Sequence, residues 1–462
     1  MRNKIIFLTL CLLITVTSLG SLSYAKNIFT LEDALSRVSY HSDVEAWSDS
    51  ITNVDKTIKS ITDKHGISLD VGGNILSYSY DVKGETHGVS TGQTLSISKS
   101  NLNGTTLGAN YSPKWSYSTD PKTGSATSST WGLSLSQTIW PSPKLSSDQI
   151  SLSIAAKHKN ALQSQSDYIL ANARFKIEEL YHKAQLAQEK VQFSQQNLHN
   201  AEKALEIIIR KKAMGEAGEF ELIGAEIAVL RGKRELEVSL KASETARISL
   251  FDAIDLEGDF VLEPLNFYET PKSNVDIDFS ELTSNLANHP LVQHYKVDLE
   301  KANLDLRATM AAEKPRADLS INFTNNKTFV ASVNIGHSIL DKNQQATTLE
   351  SREEALENLE KAYEKAIEKL RDQVKDAEED LQKLEQDLEI SNLTVRQATL
   401  EKRAAEERYA KGMIEQTALE GAETKLRQAQ LDFYELSFIY DLTLRRLSMG
   451  ILGDLPLTGG SR

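Results

Sequence analysis

The stretch Leu356–Leu388, LENLEKAYEKAIEKLRDQVKDAEEDLQKLEQDL, decides the fold. Leu356, Leu359, Tyr363, Ala366 and Leu370 recur at steps of three and four, and Val374, Ala377, Leu381, Leu384 and Leu388 continue the series. Glu and Lys fill most positions between them. Such spacing draws one apolar seam down an α-helix, and a seam of period 3.5 winds into a left-handed supercoil. No Gly or Pro interrupts the chain from Asn343 to Lys411. At 1.5 Å per residue that helix is about 100 Å long, too long for one globule.

A second run without Gly or Pro spans Leu145 to Met214. It stops at Gly215 as the other stops at Gly412, and glycine suits the left-handed residue after a helix. Four shorter helical segments, Thr30–Lys64, Glu219–Ile254, Phe279–Glu313 and Glu415–Met449, are each about half as long. Two full rods and four half rods imply stacked half rods beside each full one. The chain also repeats itself. Met214-Gly215, Leu222 and Gly224-Ala225-Glu226 recur at one constant spacing as Lys411-Gly412, Leu419 and Gly421-Ala422-Glu423. His41-Ser42-Asp43-Val44 matches His289-Pro290-Leu291-Val292 at a wider spacing, so the first repeat holds extra non-helical sequence. The repeats read as 26–278 and 279–462, with an equatorial segment at about 255–278 and a C-terminal tail after Gly450.

The 462 residues carry 52 basic and 65 acidic side chains, a net charge of −13. No basic run exceeds Arg210-Lys211-Lys212, which excludes a nucleic-acid face. Cys11 is the single cysteine, so there is no disulfide framework and no cysteine-held metal. Residues 1–25 read as an export signal: Arg2 and Lys4, the apolar Ile5–Val16, then Ser23-Tyr24-Ala25 as cleavage site. Its apolar core is too short to read as a spanning helix, and nothing later reads as one.

The non-helical parts, Ser68–Trp140 and Asp318–Leu340, alternate apolar and polar residues. Examples are Leu319-Ser320-Ile321-Asn322-Phe323 and Leu133-Ser134-Leu135-Ser136, and Asn325-Asn326-Lys327 reads as a tight link. Trp115, Trp131 and Trp140 lie in the first region with Tyr78, Tyr80, Tyr111 and Tyr117. Alternation alone fits a soluble sheet equally well. The export signal and the rods favour transmembrane strands with interfacial aromatics. Two strands per repeat give four per chain, and the extra residues of the first repeat read as an external extension outside the wall, either a longer hairpin or a surface loop.

Enzyme chemistry finds no support. Gly88-Val89-Ser90-Thr91-Gly92 has the spacing of a nucleophile elbow but no helix after it, and His289 and His294 do not have a metal spacing. No catalytic, cofactor or metal site is expected.

Signal, duplicated strand–helix units and a glycine ending each rod together resemble the TolC-like outer membrane efflux protein family. The motifs that carry the resemblance are Arg408-Tyr409-Ala410-Lys411-Gly412 and the weaker copy Lys211-Lys212-Ala213-Met214-Gly215. The resemblance implies a mainly α fold with a membrane β-barrel: a coiled-coil helical barrel in the periplasm, four strands per protomer, and a trimeric 12-stranded barrel in the outer membrane. It implies the channel of a tripartite efflux or type I secretion system, with a periplasmic adaptor, an inner-membrane pump and outer membrane lipid as partners. A periplasmic adaptor or coiled-coil scaffold is the alternative, disfavoured by two equal rods in a duplicated frame.

The same resemblance makes the rod ends a gate and adaptor contact: Gly215, Glu219, Glu221, Tyr409, Lys411, Gly412, Glu415 and Glu420. Tyr409, three before Gly412, and Glu221, six after Gly215, match the family in place and charge. The family's arginine two after the second glycine is Ile414 here, and its acidic ring is replaced by Ala418 and Gly421. A latch that is weaker, or rebuilt on Lys411, Glu415 or Glu420, is therefore expected, with the Tyr409 hydroxyl holding a carboxylate such as Glu221 on the neighbouring hairpin.

Overall fold

The computed structural model describes residues 28–83, 85–119, 124–258, 260–265, 277–337 and 344–452. The expected export signal lies outside the described residues. So do half of the equatorial segment, residues 338–340 of the second strand region and the tail beyond 452.

The chain runs β1 (Ile28–Phe29), α1 (Leu31–Ser36), α2 (Ser42–Lys64), β2 (Ile67–Asp81), β3 (Thr86–Ser100), β4 (Thr105–Ser118) and β5 (Ser125–Trp140). Helices α3 (Ser147–Ser164), α4 (Ser166–Ala213) and α5 (Glu219–Ala253) follow, then β6 (Val261–Leu262) and α6 (Phe279–Ser284). Next come α7 (Gln293–Ala312), β7 (Arg316–Thr324), β8 (Phe329–Gly336), α8 (Gln344–Ala410) and α9 (Gln416–Ser448).

The heptad stretch lies within α8, a single helix of 67 residues. Its seam is buried at Leu370, Val374, Ala377, Leu381 and Leu384, which are 1–8% exposed. The run read as Leu145–Met214 is broken at Gln165, between α3 and α4, where the Gln165 amide donates to the Pro290 carbonyl at 2.7 Å. The half rods at Thr30–Lys64 and Phe279–Glu313 are interrupted too, each by a 3-10 turn ending at a histidine. The Nδ1 of His41 accepts from the Asp43 N–H, and the Nδ1 of His289 from the Leu291 N–H, both at 3.2 Å. Each imidazole satisfies a backbone donor that the break in the helix leaves open.

The chain forms two compact units. One takes the described residues of Met1–Ala46, Tyr168–Phe279 and Val374–Arg462. Here β1 pairs in parallel with β6. Phe29, Ile177, Tyr181, Leu250, Phe251 and Ile254 form a core around that pair, and the Tyr181 hydroxyl donates to the Phe29 carbonyl at 3.0 Å. Burial pushes that phenol up to about 12. Helix α5 packs on α4 where Gly232 comes so close that an added Cβ would sit 3.2 Å from the Leu198 Cα. Ion pairs Lys190–Glu435 and Arg427–Glu189 join α4 to α9, and Lys402–Glu423 joins α8 to α9. These contacts set the order α5, α4, α9, α8.

The other unit, Trp47–Asp167 with Ser280–Gln373, holds the sheet. Four strands were expected; six are present, in the order β2-β3-β4-β5-β7-β8, every neighbour antiparallel. The first repeat contributes four of them. Its extra residues therefore form a further strand pair, the hairpin rather than the surface loop of the two expected forms. The missed turn is Asn101–Gly104, where Gly104 at φ +78° closes the β3–β4 link, a conformation that costs a residue with a Cβ. Ser90, centre of the elbow-like motif, sits mid-strand between Ser77 and Ser116, so no strand-to-helix turn forms there.

Register carries the two faces across all six strands. Leu69, Ile97, Ala109, Leu133, Phe323 and Phe329 form one cross-strand row. Ser68, Ser98, Gly108, Ser134, Asn322 and Val330 form the row beside it, on the opposite face. Hydroxyl pairs bridge strands on this second face, Ser68–Ser98 and Ser320–Ser332 both at 2.7 Å.

Candidate functional site: the glycine tip

Both hairpin tips are built by the same backbone device. In α8 the Gly412 N–H bonds to the Tyr409 carbonyl at 2.9 Å and the Met413 N–H to the Arg408 carbonyl at 2.8 Å. In α4 the Gly215 N–H bonds to Lys212 at 3.0 Å and the Glu216 N–H to Lys211 at 2.8 Å. Gly412 sits at φ +70° and Gly215 at φ +78°, as this helix ending requires. The partner helices then start at once, α5 after Gly218 and α9 after Glu415.

The expected site residues divide in their contacts. Glu221 turns back on its own helix and accepts from the Gly218 N–H at 2.8 Å. Glu219 pairs with Lys212 of the same hairpin. Tyr409 is exposed, and no hydrogen bond joins it to Glu221 within the chain. Lys411 is exposed as well.

Glu415 and Glu420 do cross between hairpins. Lys211 Nζ reaches Glu415 at 2.6 Å and Lys203 reaches Glu420 at 3.7 Å, so α4 holds α9 by two ion pairs near the tip. The Lys211 ammonium is pushed up by its hydrogen bond to Glu415. Glu420 also accepts from Gln416 at 2.9 Å. Lys211 and Lys203 were not among the expected site residues. The available clue was the match of the α4 tip to Arg408–Gly412, which sets Lys211 in the last turn of its helix.

A heavier charged cluster lies farther along α9. Arg445 donates to both oxygens of Glu178 at 3.0 and 2.6 Å and to Asp441 at 2.7 Å, with Phe175 under its guanidinium at 5.5 Å. Beside it, His182 contacts Phe438 at 4.2 Å between ring centres, and burial holds its imidazole below the usual value. This cluster fixes α9 on α4. Among the described residues no group of His, Cys, Asp and Glu is placed to hold a metal ion, and no helix is long and apolar enough to cross a membrane.

Residues 282–448 match the model of the outer membrane efflux protein family. No curated protein matches the chain. Among solved structures it is similar to CusC, described for folding and transmembrane channel formation, at 14% identity and TM-score 0.65, over 92% of each chain. It is similar to the CmeC outer membrane channel of Campylobacter jejuni at 13% identity and TM-score 0.64, over 94% of this chain and 90% of that one. The open MtrE outer membrane channel of Neisseria gonorrhoeae gives 14% and 0.64, over 94% and 93%. Identities this low speak for the fold, and the family pattern fills the second repeat. The chain thus has the fold of these outer membrane channels, and its second repeat carries the sequence pattern of the outer membrane efflux protein family.

Proposed function

We propose that this chain, as a homotrimer, is the outer membrane channel of a tripartite efflux or type I secretion system. In this role it takes cargo from an inner-membrane pump and a periplasmic adaptor. The observation that carries the reading is the sheet: large apolar side chains gather on one face and mainly Ser, Thr, Gly or Asn on the other, with β3 the most mixed strand because His87, Gln93 and Lys99 share its apolar face. Lipid outside and water inside demand that division.

Trimer formation is supported by the outer helices of the first unit. On α5, Phe220, Ile223, Ile227 and Leu230 follow heptad spacing and are exposed; on α8, Ile390, Leu393 and Leu400 are exposed likewise. In the order α5, α4, α9, α8 these seams lie at opposite ends, so each copy offers α5 to the α8 of the next. In this reading two repeats, 26–278 and 279–462, supply the two hairpins. The tip around Gly215, Glu219, Glu221, Tyr409, Lys411, Gly412, Glu415 and Glu420 is the gate and adaptor contact.

Conductance of purified residues 26–462 in a planar bilayer tests the channel. Discrete openings are expected, and a silent protein that is a trimer in detergent would overturn the reading. Detergent-dependent extraction separates the channel from an adaptor or scaffold, which washes off.

A further inference from the structure

Both edges of β4 are occupied. β5 pairs with it from Thr105 to Tyr117, and β3 pairs along the other edge from Thr106 to Ser118. A wall made of β4, β5, β7 and β8 alone would need β3 stripped from β4 before β4 could meet a neighbouring copy. β2 and β3 also carry the two faces of the rest of the sheet. Leu69 and Ile97 share a row with Leu133 and Phe323, and Ser68 and Ser98 share the opposite row with Ser134. On β2, Ile67, Leu69 and Val71 are 74%, 62% and 75% exposed. An appendage in water has no use for such a face, whereas a wall strand in lipid requires it.

The remaining edges are β2 and β8. Their outward backbone groups have no partner in the sheet, and hydrocarbon does not tolerate open edges. β2 leaves a helix and β8 returns to one, so the two run in opposite directions. β8 of one copy therefore meets β2 of the next antiparallel, as every other pair in the sheet does.

We propose that three copies close an eighteen-stranded barrel through β8–β2 pairing between neighbours, with the β2–β3 hairpin inside the wall. The proposal rests on the trimeric channel reading and sets its bore. Eight strands leave an interior filled by side chains, whereas barrels of 16–18 strands leave an aqueous channel. The lumen face is mostly uncharged, with Asp70, Asp81, Lys114 and the Arg316–Asp318 pair as its charged groups along the strands. Such a bore suits large hydrated cargo and selects little by charge at the membrane level.

Cys11 is the only native cysteine, so introduced pairs are unambiguous. Asn334→Cys is combined in turn with Ser68→Cys, Asp70→Cys and Gly72→Cys on β2, and separately with Gly108→Cys and Asn110→Cys on β4. After oxidation of outer membranes, a covalent trimer is expected from at least one β2 pair and from neither β4 pair. Cross-linking through β4 alone overturns the proposal. Cysteine variants that fail to assemble leave a second measurement on the unaltered chain: electron cryomicroscopy of the detergent-purified protein counts the strands. Eighteen supports the proposal; a twelve-stranded trimer overturns it and leaves the channel reading standing. A monomer by mass in that detergent removes the trimer reading itself.

Discussion

Lys211 Nζ lies 2.6 Å from Glu415 Oε1, tying the last turn of α4 to the residue that opens α9. The pair links the two hairpins of one chain beside the glycines that end their long helices. Both partners are solvent-accessible, so the tie is sensitive to salt. In a channel gated by splaying hairpins, Lys211→Ala is expected to raise resting bilayer conductance at low salt without lowering trimer yield. The difference from wild type should shrink in 1 M KCl, where screening acts within about 3 Å. Equal conductance at low salt would place the restraint elsewhere.

Arg445 holds Glu178 and Asp441 together through three hydrogen bonds. Arg445→Met is expected to cost about 1.5–3 kcal/mol, the range for hydrogen bonds to charged groups. The guanidinium is partly reached by water, which favours the lower part of that range. Leu442→Ala, at a fully buried position beside Phe175 and Phe438, should cost about 2–5 kcal/mol through its cavity. Unfolding midpoints in denaturant, measured in one detergent, would rank the two.

His182 supplies a pH dependence of definite sign. Burial lowers its folded-state pKa below the ordinary 6.5, so the unfolded chain binds the proton more readily. Stability is complete above 6.5 and falls as pH drops through the lowered folded value. His41, also lowered by burial, adds a loss in the same direction. Thermal unfolding from pH 8 to 5 should show the decline, and His182→Gln should flatten part of it. An unchanged slope in the variant would rule His182 out.

Gly412 has open space around its Cβ position, so only its φ of +70° opposes a side chain. Gly412→Val is expected to cost about 1–2 kcal/mol from left-handed strain and to fray the end of α8. Faster amide exchange at residues 408–413, with the buried α8 seam unchanged, is the expected result.

The helical body was legible because its signals are local. Leu370, Val374, Ala377, Leu381 and Leu384 announce a seam by spacing alone, and Gly215 and Gly412 mark its ends. The break at Gln165 carries no such mark: neither Gly nor Pro is there, and its amide is satisfied by a carbonyl distant in sequence. The alternation in Ser68–Trp140 marks strand but does not mark how many strands it holds. That division rests on Asn103-Gly104, a short hairpin signal inside the alternating run. At the tip, Glu415 and Glu420 were named from charge and position. Their lysine partners on α4 depend on how two helices far apart in sequence pack, which spacing does not encode.

The sheet is uneven in height. β7 ends at Thr324 opposite Gly132, while β5 continues through residues 125–131, about 23 Å more strand at 3.3 Å per residue. β4 follows β5 to Tyr117, and β3 follows β4 to Gly88. In an outer membrane this makes a crenellated rim, with tall blocks from the first repeat and low notches at β7 and β8. Whatever meets the cell from outside, whether a phage fibre or an antibody, would touch the blocks first. Surface variation among strains should therefore gather near Asp81–Thr86 and Ser118–Ser125, and spare the Asn325–Thr328 turn between β7 and β8.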